Sequence, residues 1–230
     1  MNELFLDSVY FGAVLTITSY LVGAYLQRRL RKPFLNPLLI SILLIILLLK
    51  ACHVSYDAYN GSAQYISYLL TPATVCLAVP LYEQLALLKS HWKAILTGIF
   101  CGVLASLGST LGLCTLFGFT HTQYVTMLPK SITTAIGMGV SEELGGVVTI
   151  TVAVIIITGI LGNILAASVC RLFRITDPVA KGIGIGSASH AIGTVKAMEM
   201  GDIEGAMSSL SIAVAGLMTV VGASVFANFM

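Results

Sequence analysis

The chain has 230 residues, of which 57% are hydrophobic and only 10% are charged, and its mean hydropathy is +0.95. A soluble domain carries about 25% charged residues, so this chain cannot cover itself with polar surface in water. We predict one integral, multi-pass membrane domain over 1–230, and a net charge of +2 is too small to indicate a nucleic-acid partner.

Six segments are apolar and long enough to cross a bilayer, for which a helix needs about 20 mainly apolar residues. They are 4–26, 34–50, 64–85, 94–117, 144–170 and 205–229. The first begins with acidic residues and is followed by its basic cluster, the reverse of a secretory signal, so an uncleaved span is expected. The sequence therefore predicts an all-α, polytopic membrane bundle.

The third segment is interrupted by Pro72 and Pro80, each of which removes a backbone donor and clashes with the preceding turn. Two interpretations stand. One is an ordinary kinked span, since membrane helices tolerate proline. The other is a broken helix whose freed backbone faces a binding site, with Thr74 among the substrate ligands.

Two further segments, 120–143 and 178–200, are moderately apolar but broken by Gly, Ser and Thr, and by Pro in each. If both re-enter the membrane without crossing and the N-terminus is outside, ten of the twelve Lys and Arg residues face the cytoplasm. The positive-inside rule favours this threading over a full span at 121–142, which is the alternative. Broken segments entering from opposite faces indicate a carrier with inverted repeats, here of about 1–118 and 119–230.

The segment 129–146, PKSITTAIGMGVSEELGG, offers hydroxyls to a small polar substrate and a positive charge, Lys130, at the outer mouth. The hydroxyl ligands predicted here are Ser131, Thr133 and Thr134. Glu142 and Glu143 have two interpretations. They cap the following span, because acidic residues favour helix N-termini, or one of them binds a coupling cation or proton.

The segment 181–197, KGIGIGSASHAIGTVKA, is strongly polar between apolar helices. Bilayer hydrocarbon penalises polar groups and irregular backbone unless they line a cavity or are buried in protein. Glycines let a backbone approach a ligand, and a half-helix beginning near Ser187 would direct unpaired N–H groups at an anion. The substrate ligands predicted here are Ser187, Ser189, His190, Gly193 and Thr194.

Several charged or titratable residues in this region have open roles. His190 is a hydrogen-bonded packing residue or a group that handles ligand or proton, since imidazole titrates near neutral pH. Lys196 and Glu199 can pair at i, i+3 and belong either to a solvated turn or to ion coupling. Asp202 is predicted to cap the last span.

The fourth span contains two GxxxG pairs, Gly98–Gly102 and Gly108–Gly112, which predict close helix packing and fit a homo-oligomer. The five cysteines are widely spaced and are expected to be buried small hydrophobes. No nucleophile with a base, metal cluster or P-loop occurs, so no enzyme, cofactor or metal site is expected.

Three stretches closely resemble the LrgB/CidB family of bacterial inner-membrane proteins, and the resemblance covers nearly the whole chain. They are TPATVCLAVPLY at 71–82, PKSITTAIGMGVSEELGG at 129–146 and KGIGIGSASHAIGTVKAMEMGDIEGAMSSLSIAVAGL at 181–217. The resemblance implies a holin-like or antiholin-like role tied to murein hydrolase export and cell lysis, with a smaller membrane partner of the LrgA/CidA type.

The resemblance also implies transport. Plant plastid relatives look like glycolate/glycerate carriers, some bacterial members are linked to pyruvate uptake, and the family is grouped with antiporter-like carriers that use broken, crossed helices. Two hypotheses result. The first is a secondary transporter of small monocarboxylates, with His190 or Glu142 carrying a coupling proton. The second is a holin- or antiholin-like component of the bacterial inner membrane.

Overall fold

The computed structural model describes residues 10–30, 36–69, 72, 75–76 and 78–230, in which every regular element is a helix. The predicted all-α architecture is confirmed. The chain divides into two compact units, Met1–Cys76 and Leu77–Met230.

The first unit contains α1 (Phe11–Leu30), α2 (Pro37–Ala51) and α3 (Tyr56–Ser67). The helix α2 begins where it does because the Asn36 side chain accepts hydrogen bonds from the backbone of Leu38 and Leu39. The helix α1 packs against both of the others. Its closest approach is at Gly12, whose N–H donates to Ser62 Oγ at 2.5 Å.

The second unit begins with the short helix α4 (Ala78–Glu83) and the long helix α5 (Leu85–Leu116), which is kinked at His91. Its other helices are α6 (His121–Met127), α7 (Thr134–Glu143), α8 (Val148–Leu172), α9 (Pro178–Met200) and α10 (Asp202–Phe226), followed by a 3-10 turn over Ala227–Phe229.

Three helices among the described residues are long and apolar enough to cross a membrane, namely Lys89–Leu116, Val148–Leu172 and Asp202–Phe229. They are the predicted fourth, fifth and sixth spans. The second predicted span is the shorter apolar helix α2 of 15 residues. The helix α1 corresponds to the first, whose residues 4–9 lie outside the described ranges.

The third predicted span, 64–85, does not form one helix. The helix α3 ends at Ser67 and α4 begins at Ala78. Pro80 lies in the first turn of α4, where backbone N–H groups have no partner within the helix, so proline is tolerated there. The kinked-span and broken-helix interpretations both stay predictions, because residues 70–71, 73–74 and 77, Thr74 among them, lie outside the described residues.

The helix α9 reverses direction at its midpoint, where Ser189 has φ −139° and His190 has φ 44°. Its two ends lie together. Lys181 Nζ, near the start of α9, is 3.6 Å from Glu204 Oε1, just beyond its end. Ile185 and Ala197, one from each half, belong to one hydrophobic cluster. Residues 178–200 therefore form a re-entrant hairpin, here termed hairpin B, as the charge distribution predicted.

The helices α6 and α7 form a second re-entrant hairpin, hairpin A (residues 121–143). Both of its arms are bonded to the start of α8. Thr126 Oγ1 accepts from the N–H of Val147 at 2.8 Å, and the hydroxyls of Ser141 and Thr151 are 2.7 Å apart. The turn between the arms contacts the middle of α5 through Ser131. Hairpin A therefore enters the bundle and leaves it at the same end.

The two hairpins enter from opposite ends of the second unit. Hairpin A begins beside the C-terminus, where His121 Nδ1 is 2.6 Å from the carbonyl of Met230. Hairpin B begins at the end that carries Arg171, Arg174 and Lys181, the basic end. Each hairpin is followed by a long span, and α8 and α10 run in opposite directions. This is the arrangement found in inverted-repeat carriers, whereas the predicted halves 1–118 and 119–230 stay a prediction.

Candidate functional site

A cavity of about 360 Å³ lies where both hairpins meet α5. Liquid water occupies about 30 Å³ per molecule, so the cavity has room for a small organic acid together with several waters. Its polar lining residues are Ser106, Ser109, Lys130, Ser131, Thr158 and Ser187. The turn of hairpin A, the first half of hairpin B, α5 and α8 each contribute to them.

Lys130 is the cation among these lining residues. Its Nζ donates to Ser106 Oγ at 3.0 Å and to Ser131 Oγ at 3.3 Å. No described carboxylate lies within 4.0 Å of this ammonium. The ion pairs among the described residues are Lys181 with Glu204 and Lys196 with Glu199. The described partners of this ammonium are hydroxyls, which do not neutralise its charge, and a charge inside an apolar bundle is costly without a counter-ion. An anion in the cavity would supply it.

Ser187 presents an unused donor to the same cavity. The residue is 4% exposed, and its hydroxyl has no hydrogen-bond partner among the groups that the structure describes. Leaving a buried polar group unsatisfied costs about 1–3 kcal/mol, so a ligand that accepts from Ser187 would recover this energy. Gly102 makes room for the side chain, because a Cβ there would lie 3.0 Å from Ser187 Cβ.

The cavity lies deep in the bundle. Lys130 contacts Ser106, which is ten residues before the end of α5 at Leu116, or about 15 Å along the helix. The turn of hairpin A therefore places Lys130 well inside the second unit, whereas its position relative to the outer mouth stays a prediction.

The predicted substrate ligands fall into three groups. Ser131 and Ser187 line the cavity. Thr133 and Thr134 are half-buried at the start of α7, next to the turn but not in the lining. Ser189 donates to the carbonyl of Ile185 at 2.7 Å and faces a neighbouring, mainly apolar cavity of about 380 Å³.

His190, Gly193 and Thr194 hold the tip of hairpin B in place. His190 Nε2 lies 3.0 Å from the carbonyl of Ile155, and since a carbonyl only accepts, this nitrogen carries the proton. Thr194 Oγ1 donates to the carbonyl of His190 at 2.9 Å and is 2.7 Å from Ser208 Oγ. These contacts are the ones that the packing interpretation of His190 expects.

The predicted coupling residues other than His190 lie away from the cavity. Glu142 and Glu143 are exposed at the far end of α7. Lys196 and Glu199 form the expected i, i+3 ion pair at 2.8 Å, on the surface.

The prediction that Asp202 caps the last span is wrong. Gly201 occupies the cap position of α10, and Asp202 is the first helical residue. Gly201 is the single residue between hairpin B and α10. It therefore occupies both the C-terminal cap position of α9 and the N-terminal cap position of α10.

The lining of α5 was missed by the sequence analysis. Gly98, Gly102, Ser106 and Ser109 face the cavity, a stripe of small or hydroxylated residues at spacings of four, four and three. This helical spacing of small and hydroxylated residues is the sequence feature that could have indicated the cavity-lining face of α5. Of the two GxxxG pairs, Gly98 and Gly102 lie against hairpin B, whereas a Cβ at Gly108 or Gly112 would meet nothing within 4 Å.

The chain matches the model of the LrgB-like family over residues 16–229. It is 40% identical over 210 residues to the holin-like protein CidB of Staphylococcus epidermidis, with 91% of each chain covered. It is 35% identical over 221 residues to the antiholin-like protein LrgB of Bacillus mycoides and of Bacillus cereus, with 96% of each chain covered. No solved structure matches it. The chain is therefore a membrane protein that belongs to the LrgB-like family.

Proposed function

We propose that this protein is a secondary carrier of small monocarboxylates, of the pyruvate, glycolate and glycerate class, in the bacterial inner membrane. The observation that carries the proposal is the cavity that Lys130 and Ser187 share between the two hairpins. The ammonium would neutralise the carboxylate, and the Ser187 hydroxyl would donate to one carboxylate oxygen. Thr158 offers a hydroxyl to a keto or hydroxyl oxygen, and Ser109 Oγ, which donates to the carbonyl of Ser106 at 3.0 Å, can accept from a substrate hydroxyl.

The two hairpins suit alternating access, because each forms one wall of the cavity and they enter from opposite ends. Movement of hairpin A would open the cavity towards the end of the second unit that carries the chain's C-terminus. Movement of hairpin B would open it towards the basic end. The pair of Lys181 with Glu204 ties the base of hairpin B to α10. His190, through Ile155, ties its tip to α8.

The names of the relatives support a second candidate function more directly than they support transport, since they read holin-like and antiholin-like. In this proposal the protein forms or inhibits a pore, modulates murein hydrolase export and acts as a homo-oligomer with a small LrgA/CidA-type partner. Altered flux of a carbon acid could also produce an antiholin-like phenotype, so the two functions are compatible.

Counterflow in proteoliposomes separates the two functions. Vesicles loaded with unlabelled pyruvate or glycolate are diluted into the labelled acid, and the release of an entrapped neutral dye is followed in parallel. A carrier gives saturable counterflow without dye release. Dye release without saturable counterflow, in the absence or the presence of the small partner, would contradict the carrier proposal and support a pore.

A further inference from the structure

We propose that Lys130 itself carries the coupling proton, so that one proton and one monocarboxylate anion cross the membrane together. This inference rests on the proposed carrier function and assigns its coupling to a residue of the substrate site. It departs from the expectation that His190 or Glu142 performs this step.

Lys130 lacks a counter-ion among the described residues. The contacts of Lys130 Nζ are the hydroxyls of Ser106 and Ser131, and no described carboxylate neutralises it. With an anion in the cavity, the ammonium is paired. Once the anion has left, a charged Lys130 would remain in a poorly solvated place without a partner, which strongly favours loss of its proton.

The hydroxyls beside Lys130 can also satisfy a neutral amine. A neutral lysine nitrogen accepts one hydrogen bond and donates two. Ser106 Oγ and Ser131 Oγ, which are 2.8 Å apart, can donate to it or accept from it by rotating their hydroxyls. The same two side chains therefore form hydrogen bonds with Lys130 in either protonation state. Whether Lys130 is protonated then depends on whether the substrate anion is bound.

Among the described residues that line the cavity, Lys130 is the ionisable one. Ionisable side chains elsewhere on the packed elements include Cys114 on α5, Tyr124 and Glu142 on hairpin A, His190 on hairpin B and Glu204 on α10. Cys114 is a buried thiol outside the cavity lining. Tyr124 donates to the carbonyl of Phe226. His190 and Glu204 are engaged with Ile155 and Lys181, and Glu142 is exposed.

The transport cycle conserves charge in each step. An anion and a proton enter from one side, and the proton converts the Lys130 amine to an ammonium that pairs with the carboxylate. The hairpins rearrange around a net neutral site. The anion and the proton leave on the other side, and the neutral amine allows the empty carrier to return. Each cycle moves one proton and one monoanion, and no net charge.

The experiment measures uptake of labelled pyruvate into proteoliposomes under a pH gradient or under a membrane potential, each imposed alone, with protein-free vesicles subtracted. A gradient of one pH unit, alkaline inside, is expected to give about tenfold accumulation, and the potential alone none. Uptake that follows the potential, or that ignores the pH gradient while counterflow persists, would overturn the proton coupling alone. Absence of counterflow would instead overturn the carrier function.

Two variants locate the coupling. K130R keeps a charge that cannot be removed, so it is expected to retain counterflow within about threefold and to lose about 90% of the uptake driven by the pH gradient. K130Q is expected to lose both. K93Q, at an exposed position of α5 outside the cavity lining, is the matched control and leaves both unchanged. If K130R takes up pyruvate under a pH gradient as the wild type does, Lys130 is not the proton carrier.

Discussion

The unused hydroxyl of Ser187 distinguishes the cavity from ordinary packing. Other buried hydroxyls nearby are hydrogen-bonded, as Ser211 is to the carbonyl of Met207 at 2.8 Å. Ser187 has no such partner in the described part of the chain. A buried group that weakens the fold but faces a cavity is typical of a binding residue.

Replacement of Ser187 by alanine is expected to change stability and binding in opposite directions. S187A removes an unsatisfied group, so the unfolding free energy in detergent should rise by about 1 kcal/mol. Affinity for pyruvate should fall about tenfold, because a hydrogen bond to a charged carboxylate is lost. Thermal unfolding with and without pyruvate measures both.

The matched control for S187A is S211A, which removes a satisfied hydroxyl outside the cavity. It should not gain stability, and its affinity for pyruvate should match that of the wild type. If S187A and S211A have the same effects on both quantities, Ser187 has no special role.

The sequence showed which residues are polar within apolar surroundings, and this was enough to find Ser131 and Ser187. It could not show which hydroxyls are already used. His190 and Thr194 looked equally suitable as ligands, but their bonds to Ile155 and Ser208 come from α8 and α10, remote in sequence. The sequence indicates a positive charge at Lys130 but not its contacts with Ser106 and Ser131, because the length of each hairpin arm is a property of the fold.

Hairpin B is held by close helix contacts that depend on glycine. Gly186 lies directly against the backbone of Ser208 in α10, and a Cβ there would lie 2.8 Å from Ser208 Cα. A Cβ on Gly184, two residues earlier, would meet nothing within 4 Å. The two glycines have similar helical surroundings and differ in their tertiary contacts.

The contrast predicts different stabilities for two alanine variants. G186A should lower the unfolding free energy by about 1–3 kcal/mol, because overpacking forces α9 away from α10. G184A should be neutral or gain up to about 1 kcal/mol, the usual effect of replacing a helical glycine. Thermal unfolding without substrate measures this difference. Equal losses in both variants would contradict the packing of hairpin B.

The contact between α5 and hairpin B should affect transport. A Cβ on Gly102 would lie 3.3 Å from Ser187 Oγ, so G102A should displace this hydroxyl and weaken pyruvate exchange roughly tenfold. The control is G108A on the same helix, where a Cβ meets nothing within 4 Å. Loss of exchange in G108A but not in G102A would be inconsistent with the cavity lining.

The whole-molecule architecture depends on both hairpins returning to the end where they enter. Charge distribution predicted this threading from the sequence, and hydropathy predicted the three long spans, because both are properties of composition along the chain. The opposite entry of the two hairpins was likewise expected from the charge distribution. The contacts that hold them could not be derived in the same way, because they join distant segments such as Ser106 with Ser131.

Labelling of single cysteines from either side of the membrane tests the threading. In a background without the five native cysteines, D177C and D202C should react from one face, and H121C and E143C from the opposite face. All four positions are exposed. If hairpin B crossed the membrane, Asp177 and Asp202 would label from opposite faces, which would contradict the fold described for the second unit.

Direct binding of pyruvate to the purified protein tests the central claim, that both hairpins build one anion site. Calorimetry would compare the wild type with K130Q, S187A and the double variant. We expect K130Q, on hairpin A, to weaken binding by about 10–100-fold, since a charge-assisted bond is lost. We expect S187A, on hairpin B, to weaken it about tenfold, and the double variant to bind little more weakly than K130Q. Wild-type affinity in both single variants would contradict the account.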